Sequence, residues 1–236
     1  MAQGIVMADK TLPPQLETWK AQARAWFETL RDDLCAEAIR LTRVVRGLLP
    51  DEPEVAGLLA LMLLHHARRA SRTEPDGTLV PLAAQDRSRW DTDAIVEGIA
   101  ILQAALARDR PGEYQAQAAI AALHADAAHV DETDWVQIVE WYDELRRFGD
   151  TPIVRLNRAV AVGEADGALA GLRALEDVPE DVPRRDAVAA HLHEKLGDLE
   201  LAAQLYALAA RRAPNLAERN HQLRQAARVH ELLRTR

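Results

Sequence analysis

A chain of 236 residues can form one large domain or two small domains with a substantial hydrophobic core. Ala and Leu dominate and aromatic residues make up 4% of the chain, a composition that favours helices over strands. The formal net charge of −8 repels the phosphates of nucleic acids, and Lys and Arg occur only in short clusters. The composition therefore argues against direct nucleic-acid binding.

The first segment, residues 1–30, is predicted to be an amphipathic leading helix with a tail. It has no basic stretch followed by a long apolar one, so we expect no secretion signal. Its large apolar side chains can cover the first helices of the domain that follows. They are Trp19, Trp26, Phe27 and Leu30. Residues 31–236 form one predicted helical domain, with possible sub-layers at 31–127 and 131–236.

The next part of the chain predicts two helices. Cys35 is the only cysteine, which excludes an internal disulfide and fits a reducing cytosol. Its apolar helical surroundings favour a buried thiol. The second helix is apolar nearly all round, which predicts a central position in a bundle, and Asp51 with Glu54 resembles a capping box at its start. Its most apolar window, 58–64, is too short to cross a bilayer, so we expect a cytoplasmic protein that does not contact membranes.

A long bridge, residues 73–89, follows the second helix. Pro75, Gly77 and Pro81 prevent it from forming one continuous helix. Long ordered loops inside compact domains are often functional. A flexible connection between two helical layers is the equally weighted alternative.

A polar cluster closes this bridge at residues 85–91, with the sequence QDRSRWD. Asp91 can cap the next helix, and Trp90 can anchor the loop against the fold. Arg87 and Arg89 can form salt bridges inside the fold or present guanidinium groups to carboxylates of a partner. Internal contacts are weighted somewhat above partner contacts.

Polar residues inside apolar helices give few signs of chemistry. Asn157 and Arg158 must satisfy their hydrogen bonds locally or across an interface, so internal contacts and partner contacts are again the two alternatives.

The histidine pairs do not predict a metal site. The side chains of His65 and His66, and of His191 and His193, point in different directions from a helix, whereas ligands that share an ion lie three or four residues apart. We therefore predict no metal site, no cofactor and no catalytic residues, and an enzyme is the least favoured class.

Spaced small residues in the last third of the chain match a tetratricopeptide repeat, a pair of antiparallel helices that cross closely. A weaker copy ends at Pro50, and residues 152–175 form a degenerate third copy, opened by Thr151 as a helix cap after Gly149. Such repeats stack into a solenoid that binds peptides or proteins. The pattern predicts an all-α fold, a right-handed α–α superhelix of tetratricopeptide-like helix pairs over 31–236. The positions of the clearest repeat are Ala190, Gly197, Ala202, Tyr206, Ala209 and Pro214. Asn215 with Glu218 is a second capping-box candidate, which opens the last predicted helix.

Several long strings of the chain closely resemble the helical C-terminal extension of a group of extracytoplasmic-function (ECF) sigma factors. They are CAEAIRL, PDEPEVAGLLALMLLHHARRASR, QDRSRWD, GEYQAQAAIAALH and TPIVRLNRAVAV. The resemblance covers roughly 31–233 and implies an extension of tetratricopeptide type. In that family two upstream regions bind core RNA polymerase and the promoter, and the extension contacts those regions. The resemblance places eight residues on family signature positions, as partner contacts or structural residues: Arg87, Arg89, Trp90, Asp91, Tyr114, Gln115, Asn157 and Arg158.

The expected function is therefore that of a protein-interaction domain in transcription regulation. Its expected partners are the sigma regions of the same family and core RNA polymerase. Both upstream sigma regions are absent here and the first thirty residues depart from the family, so this chain alone is not expected to direct initiation. The alternative is a free-standing tetratricopeptide scaffold that binds an unrelated peptide or protein.

Overall fold

The computed structural model describes residues 33–74 and 78–235, and this part of the chain is all-helical. The predicted all-α class is confirmed for it. It contains ten helices, no strand, and one isolated antiparallel bridge between Thr73 and Leu79. The leading segment 1–30 lies outside the described residues. The helices are α1 (described over 33–48), α2 (Pro53–Ala67), α3 (Thr92–Leu106), α4 (Glu113–Asp126), α5 (Trp135–Phe148), α6 (Pro152–Ala165), α7 (Ala168–Leu175), α8 (Arg185–Lys195), α9 (Leu199–Arg212) and α10 (Leu216–Arg234).

Several helices begin and end at the residues that the sequence predicts. The Thr151 hydroxyl caps α6, Pro152 occupies the first helical position, and Gly149 ends α5. At α10 the Asn215 side chain accepts a hydrogen bond from the backbone N–H of Glu218 at 2.9 Å. These side chains satisfy donors that the first turn of a helix leaves without a backbone partner.

The cap of α2 lies one residue later than the capping-box pattern predicts. Glu52, not Asp51, accepts from the backbone N–H of Glu54, at 3.4 Å, and the Asp51 side chain is 97% exposed. The reason is Pro53, which starts the helix and restricts the residue before it to extended backbone; Glu52 has φ −100° and ψ 100°.

The predicted central position of α2 is confirmed. Leu59, Ala60 and Leu64 are fully buried, and α2 packs against both α3 and α4. In the described part of the chain, no helix combines the length and the apolar character that a membrane crossing requires.

The core is a series of four apolar clusters that follow the order of the chain. The first joins α1–α4, the second α4–α6, the third α6–α8 and the fourth α8–α10. Each helix thus packs chiefly on helices close to it in sequence. The second cluster contains Ile120 of α4 and Ile138 of α5, which lie on either side of 127–131. The possible division into sub-layers there stays a prediction.

The bridge after α2 is built from short turns, as expected of a segment that is not one continuous helix. Single 3₁₀ turns form at Arg69–Ser71, Leu82–Ala84 and Arg87–Arg89. The backbone N–H of Val80 donates to the carbonyl of Arg72 at 2.9 Å, which holds the two ends of the loop together. Residues 75–77 lie outside the described part.

Candidate protein-interaction surface

Trp90 anchors the bridge on the helical bundle. It is 7% exposed, and its indole Nε1–H donates to the Ser71 hydroxyl at 2.7 Å. The guanidinium carbons of Arg68 and Arg87 lie 5.8 and 4.5 Å from the centre of its ring, within cation–π range. The Ser71 hydroxyl in turn has two acceptors for its single hydrogen, the Arg68 carbonyl at 3.0 Å and Gln85 Oε1 at 3.3 Å. Trp90 is therefore held by polar and apolar contacts from both ends of the bridge.

Arg87 contacts the fold through backbone carbonyls. Its Nη1 donates to the carbonyls of His124 and Ala127, at 2.8 and 2.6 Å. These carbonyls end α4, where the helix has free acceptors and a partial negative charge. Asp91 caps α3 by accepting from the Ala94 N–H at 3.0 Å. Within the described residues both side chains thus have internal partners.

Arg89 and Asp91 are the two signature residues of this cluster that are exposed. Asp91 is engaged as the cap of α3, whereas Arg89 occupies the outer side of the turn that Arg87 and Trp90 fix from within. The Arg89 side chain is therefore open to another protein.

The second signature pair, Tyr114 and Gln115, begins α4 beside α2. Gln115 is fully buried, and its backbone and side-chain N–H groups donate to Glu54 Oε1 at 3.1 and 3.2 Å. Glu54 Oε2 accepts from the Tyr114 N–H at 3.0 Å, so one carboxylate from α2 caps the start of α4. Gly57 permits this approach, because a Cβ there would lie 2.7 Å from the Gln115 Cγ. Tyr114 itself is 42% exposed.

The third pair, Asn157 and Arg158, is divided between solvent and the fold. Arg158 forms a two-pronged ion pair with Asp143 of α5, at 2.7 and 3.0 Å. Asn157 is exposed. The eight signature residues therefore fall into an internal group and an exposed group. The exposed group is Arg89, Asp91, Tyr114 and Asn157.

Positive charge surrounds His65 at the base of the bridge. Its Nδ1 lies 3.1 Å from Arg68 Nη2 and 3.0 Å from Arg72 Nη2, so the ring accepts both hydrogen bonds in its neutral form. Burial and the charges of Arg68 and Arg72 lower the pKa of His65 to about 4. Burial, Arg68 and Arg87 likewise lower the pKa of His124 to about 4. Histidines kept neutral in this way are acceptors, and no metal-binding cluster of ligands occurs among the described residues.

Replacing His65 with asparagine is expected to reduce the loss of stability in mild acid. Between the ordinary histidine pKa of about 6.5 and the lowered pKa of about 4 in the folded protein, the unfolded chain binds more protons than the folded chain. The free energy of unfolding is therefore at its full value above pH 6.5 and falls as the pH drops towards 4. Because the ring is partly open to solvent, we expect His65 to account for about 1–2 kcal/mol of this loss.

The measurement is urea denaturation of the parent and His65→Asn between pH 7.5 and 4.5. The Asn Oδ1 can take both arginine hydrogen bonds without titrating, so the variant should lose less stability over this range. His124 remains as a second titrating group and leaves a residual slope. Identical pH profiles for the two proteins would contradict the assignment.

α1 carries an apolar face that no residue of the described chain covers. The opposite face holds the helix on the bundle: Ile39 and Thr42 are buried, and Arg43 pairs with Glu97 of α3 at 2.7 Å. The uncovered residues recur at spacings that place them on one side of a helix, and each is at least 40% exposed. Exposed apolar patches of this kind mark protein-interaction sites. We call this set the α1 apolar face: Leu34, Leu41, Val44, Val45 and Leu48.

Sequence reasoning missed this face, although its signal is readable. Leu34, Leu41, Val45 and Leu48 follow one another at intervals of seven, four and three residues, which places them on one side of a helix. Ile39 lies on the opposite side, and that side is buried against the bundle. Cys35 was predicted to be buried and is exposed. The reason is that all residues of the first described turn of α1, 33–37, are exposed, so the apolar residues near Cys35 in sequence do not bury its thiol.

Comparison with known proteins matches this chain to sequences of no assigned activity. Residues 16–106 match a family of unknown function, DUF6596. The chain is 46% identical over 153 residues to an uncharacterised protein of Rhizobium meliloti (strain 1021). The aligned segment covers 65% of this chain and 36% of that protein. No solved structure matches the chain. The similar segment thus spans about a third of the length of this relative, and the family match includes α1 and the bridge.

Proposed function

We propose that this chain is the protein-interaction domain of an ECF sigma factor. It modulates transcription initiation by contacting the sigma regions of that family or core RNA polymerase. The observation that carries the proposal is the α1 apolar face, because a row of Leu and Val that the described residues leave uncovered suits contact with another polypeptide segment. The choice of partner rests on the resemblance of several long strings of the sequence to the ECF extension.

The position of α1 supports a sigma region as the occupant of this face. In the resembling proteins the sigma regions precede the extension, and α1 is the first helix of the described domain. The relative from Rhizobium meliloti continues far beyond the segment it shares with this chain, which leaves room for such regions. An amphipathic helix of a sigma region can lay its apolar side on Leu41, Val45 and Leu48.

We further propose that the helices form a right-handed superhelix of tetratricopeptide-like pairs. Support comes from the α8–α9 pair, where Ala190 and Ala202 are fully buried at the helix crossing. Tyr206 packs beside them, and its hydroxyl donates to Glu194 Oε2 at 3.0 Å. The chain-ordered clusters of the core also suit a solenoid, in which each repeat packs on its neighbours.

The test is binding of the purified chain to the two sigma regions of the resembling family, with matched double variants. Leu41→Gln with Leu48→Gln should weaken binding at least tenfold, about 1.4 kcal/mol. Leu223→Gln with Leu232→Gln, on exposed positions of α10, should leave binding unchanged. Both pairs change only exposed side chains, so stability should shift by about 0.5 kcal/mol or less.

The outcome of this titration decides the proposal. Absence of binding at tens of micromolar, where weak transient interfaces are still visible, would reject the sigma partner. Equal weakening by the α1 and α10 variants would reject the α1 apolar face as the contact.

A second candidate is a free-standing scaffold for an unrelated peptide, and one cavity favours it. A space of about 600 Å³ lies between the loop before α8, the end of α9 and the start of α10. Its rim carries Glu180 and Asp181, which suit a basic peptide. In this case substitutions at the cavity, such as Gln222→Leu, should weaken peptide binding, and substitutions on α1 should leave it unchanged.

A further inference from the structure

Three arginines converge where the bridge leaves α2. Arg68 and Arg72 share one acceptor atom, His65 Nδ1, at 3.1 and 3.0 Å. Arg68 and Arg87 both lie against Trp90, with guanidinium carbons 5.8 and 4.5 Å from the ring centre. Arg68 is thus the centre of a cationic cluster, because it shares an acceptor with Arg72 and an aromatic ring with Arg87, and the charges of both act on it.

Among the described residues, none supplies a counter-charge in contact with this cluster. No carboxylate oxygen of a described residue lies within 4.0 Å of the guanidinium nitrogens of Arg68, Arg72 or Arg87. Glu132 acts on Arg87 only at longer range. Burial, followed by the charges of Arg72 and Arg87, lowers the pKa of Arg68 to about 10, which records the same crowding.

Two hydrogen-bond donors in the cluster are also unused. Arg68 is 7% exposed, and its Nε has no hydrogen-bond partner within the described part of the protein. The same holds for Arg87 Nη2. A buried donor without an acceptor, on a group that is also charged, is destabilising, and a bound anion removes both deficits.

We propose that Arg68, Arg72 and Arg87 form a binding site for a phosphate group, either free or as a monoester. Arg72 is exposed, so the anion enters on its side and replaces His65 Nδ1 as the acceptor for Arg72 and Arg68. A phosphate dianion offsets more of the threefold positive charge than a single carboxylate does. Its several oxygens also suit the forked donors of arginine. This site is independent of the α1 apolar face and of the proposed function.

The experiment is calorimetric titration with inorganic phosphate, together with thermal unfolding at constant ionic strength set by sodium chloride. We expect one site per chain and an unfolding midpoint that rises with phosphate concentration. Arg72→Ala should weaken phosphate binding at least tenfold, since this exposed side chain forms the entrance. Arg89→Ala removes another exposed arginine from the nearby turn; this variant should bind phosphate like the parent and controls for general charge.

Parallel titrations with glycerol 3-phosphate and with glutamate identify the chemistry. Binding of inorganic phosphate alone assigns the free ion, and tighter binding of glycerol 3-phosphate assigns a monoester; either supports the site. Glutamate binding as tight as phosphate overturns the proposal in favour of a carboxylate from a partner protein. Chloride giving the same rise in midpoint, or Arg72→Ala binding like the parent, overturns it outright. Arg68→Lys keeps the charge but removes the fork, and should also weaken binding.

Discussion

Replacing Trp90 with alanine is expected to lower the free energy of unfolding by about 3–5 kcal/mol, measured by urea denaturation. Trp90 fills the contact between the bridge and the first core cluster, where it lies with Leu59 and Ile101. Truncation removes that packing, the hydrogen bond to Ser71 and the ring that two guanidinium groups face. The loss of stability exceeds that expected for an ordinary loop residue, because Trp90 contacts the first core cluster, Ser71 just after the end of α2 and Arg87 in the bridge.

Two further substitutions separate these contributions. Trp90→Phe keeps an aromatic ring but loses the indole N–H, and should lower stability by about 1–2 kcal/mol. Phe148→Ala removes a large apolar side chain that is 42% exposed, and should lower stability by less than about 1 kcal/mol. If Trp90→Ala destabilised no more than Phe148→Ala, the bridge would not depend on Trp90 for its attachment.

Features that depend on a few neighbouring residues could be predicted from sequence. The caps at Asp91, Thr151 and Asn215 are read within three residues of the helix start, and each forms as expected. The misplaced cap at α2 shows the limit, since Asp51 fits the pattern but Pro53 shifts the helix start by one position.

Contacts between residues far apart in sequence could not be predicted. Arg87 reaches carbonyls 37 and 40 residues away, at the end of a helix whose orientation no local pattern reveals. Glu54 caps a helix that begins some sixty residues later, at Tyr114 and Gln115. In both cases the residue type was singled out, but its partner required the packing of whole helices.

The candidate surface could be predicted only in part, for a different reason. Composition and periodicity identify helices that bury one face, and they assign every apolar stripe to the core by default. α1 has two stripes, and only the fold reveals that Ile39 faces the bundle while Leu41 and Leu48 face outward. A predicted helix with two apolar stripes, of which the fold can bury only one, is therefore a signal in the sequence for a binding surface.

Replacing Gly171 with alanine is expected to lower the free energy of unfolding by about 1–3 kcal/mol, although alanine is the better helix former. Gly171 lies where α7 crosses α6. A Cβ there would lie 2.7 Å from the Gly163 Cα, 2.9 Å from Leu192 Cδ2 and 3.0 Å from the Ala159 carbonyl oxygen. Two of these atoms belong to the backbone and the third to a fully buried leucine, so the helices must move apart. Thermal or urea unfolding measures the change.

The spacing of Gly171 links this prediction to the tetratricopeptide-like repeat that we propose. Gly171 follows Ala159 by twelve residues, as Ala202 follows Ala190 in the clearer copy, and all four positions are buried. Gly47→Ala is the matched control, because Gly47 is an exposed helical residue at which an added Cβ would meet no atom within 4 Å, and it should raise stability by about 0.5–1 kcal/mol. Opposite signs for the two glycine substitutions are expected if close helix crossing, and not helix propensity, determines which residue the repeat tolerates. A stabilising Gly171→Ala would mean that α6 and α7 adjust freely, and would remove the requirement for a small residue at this crossing.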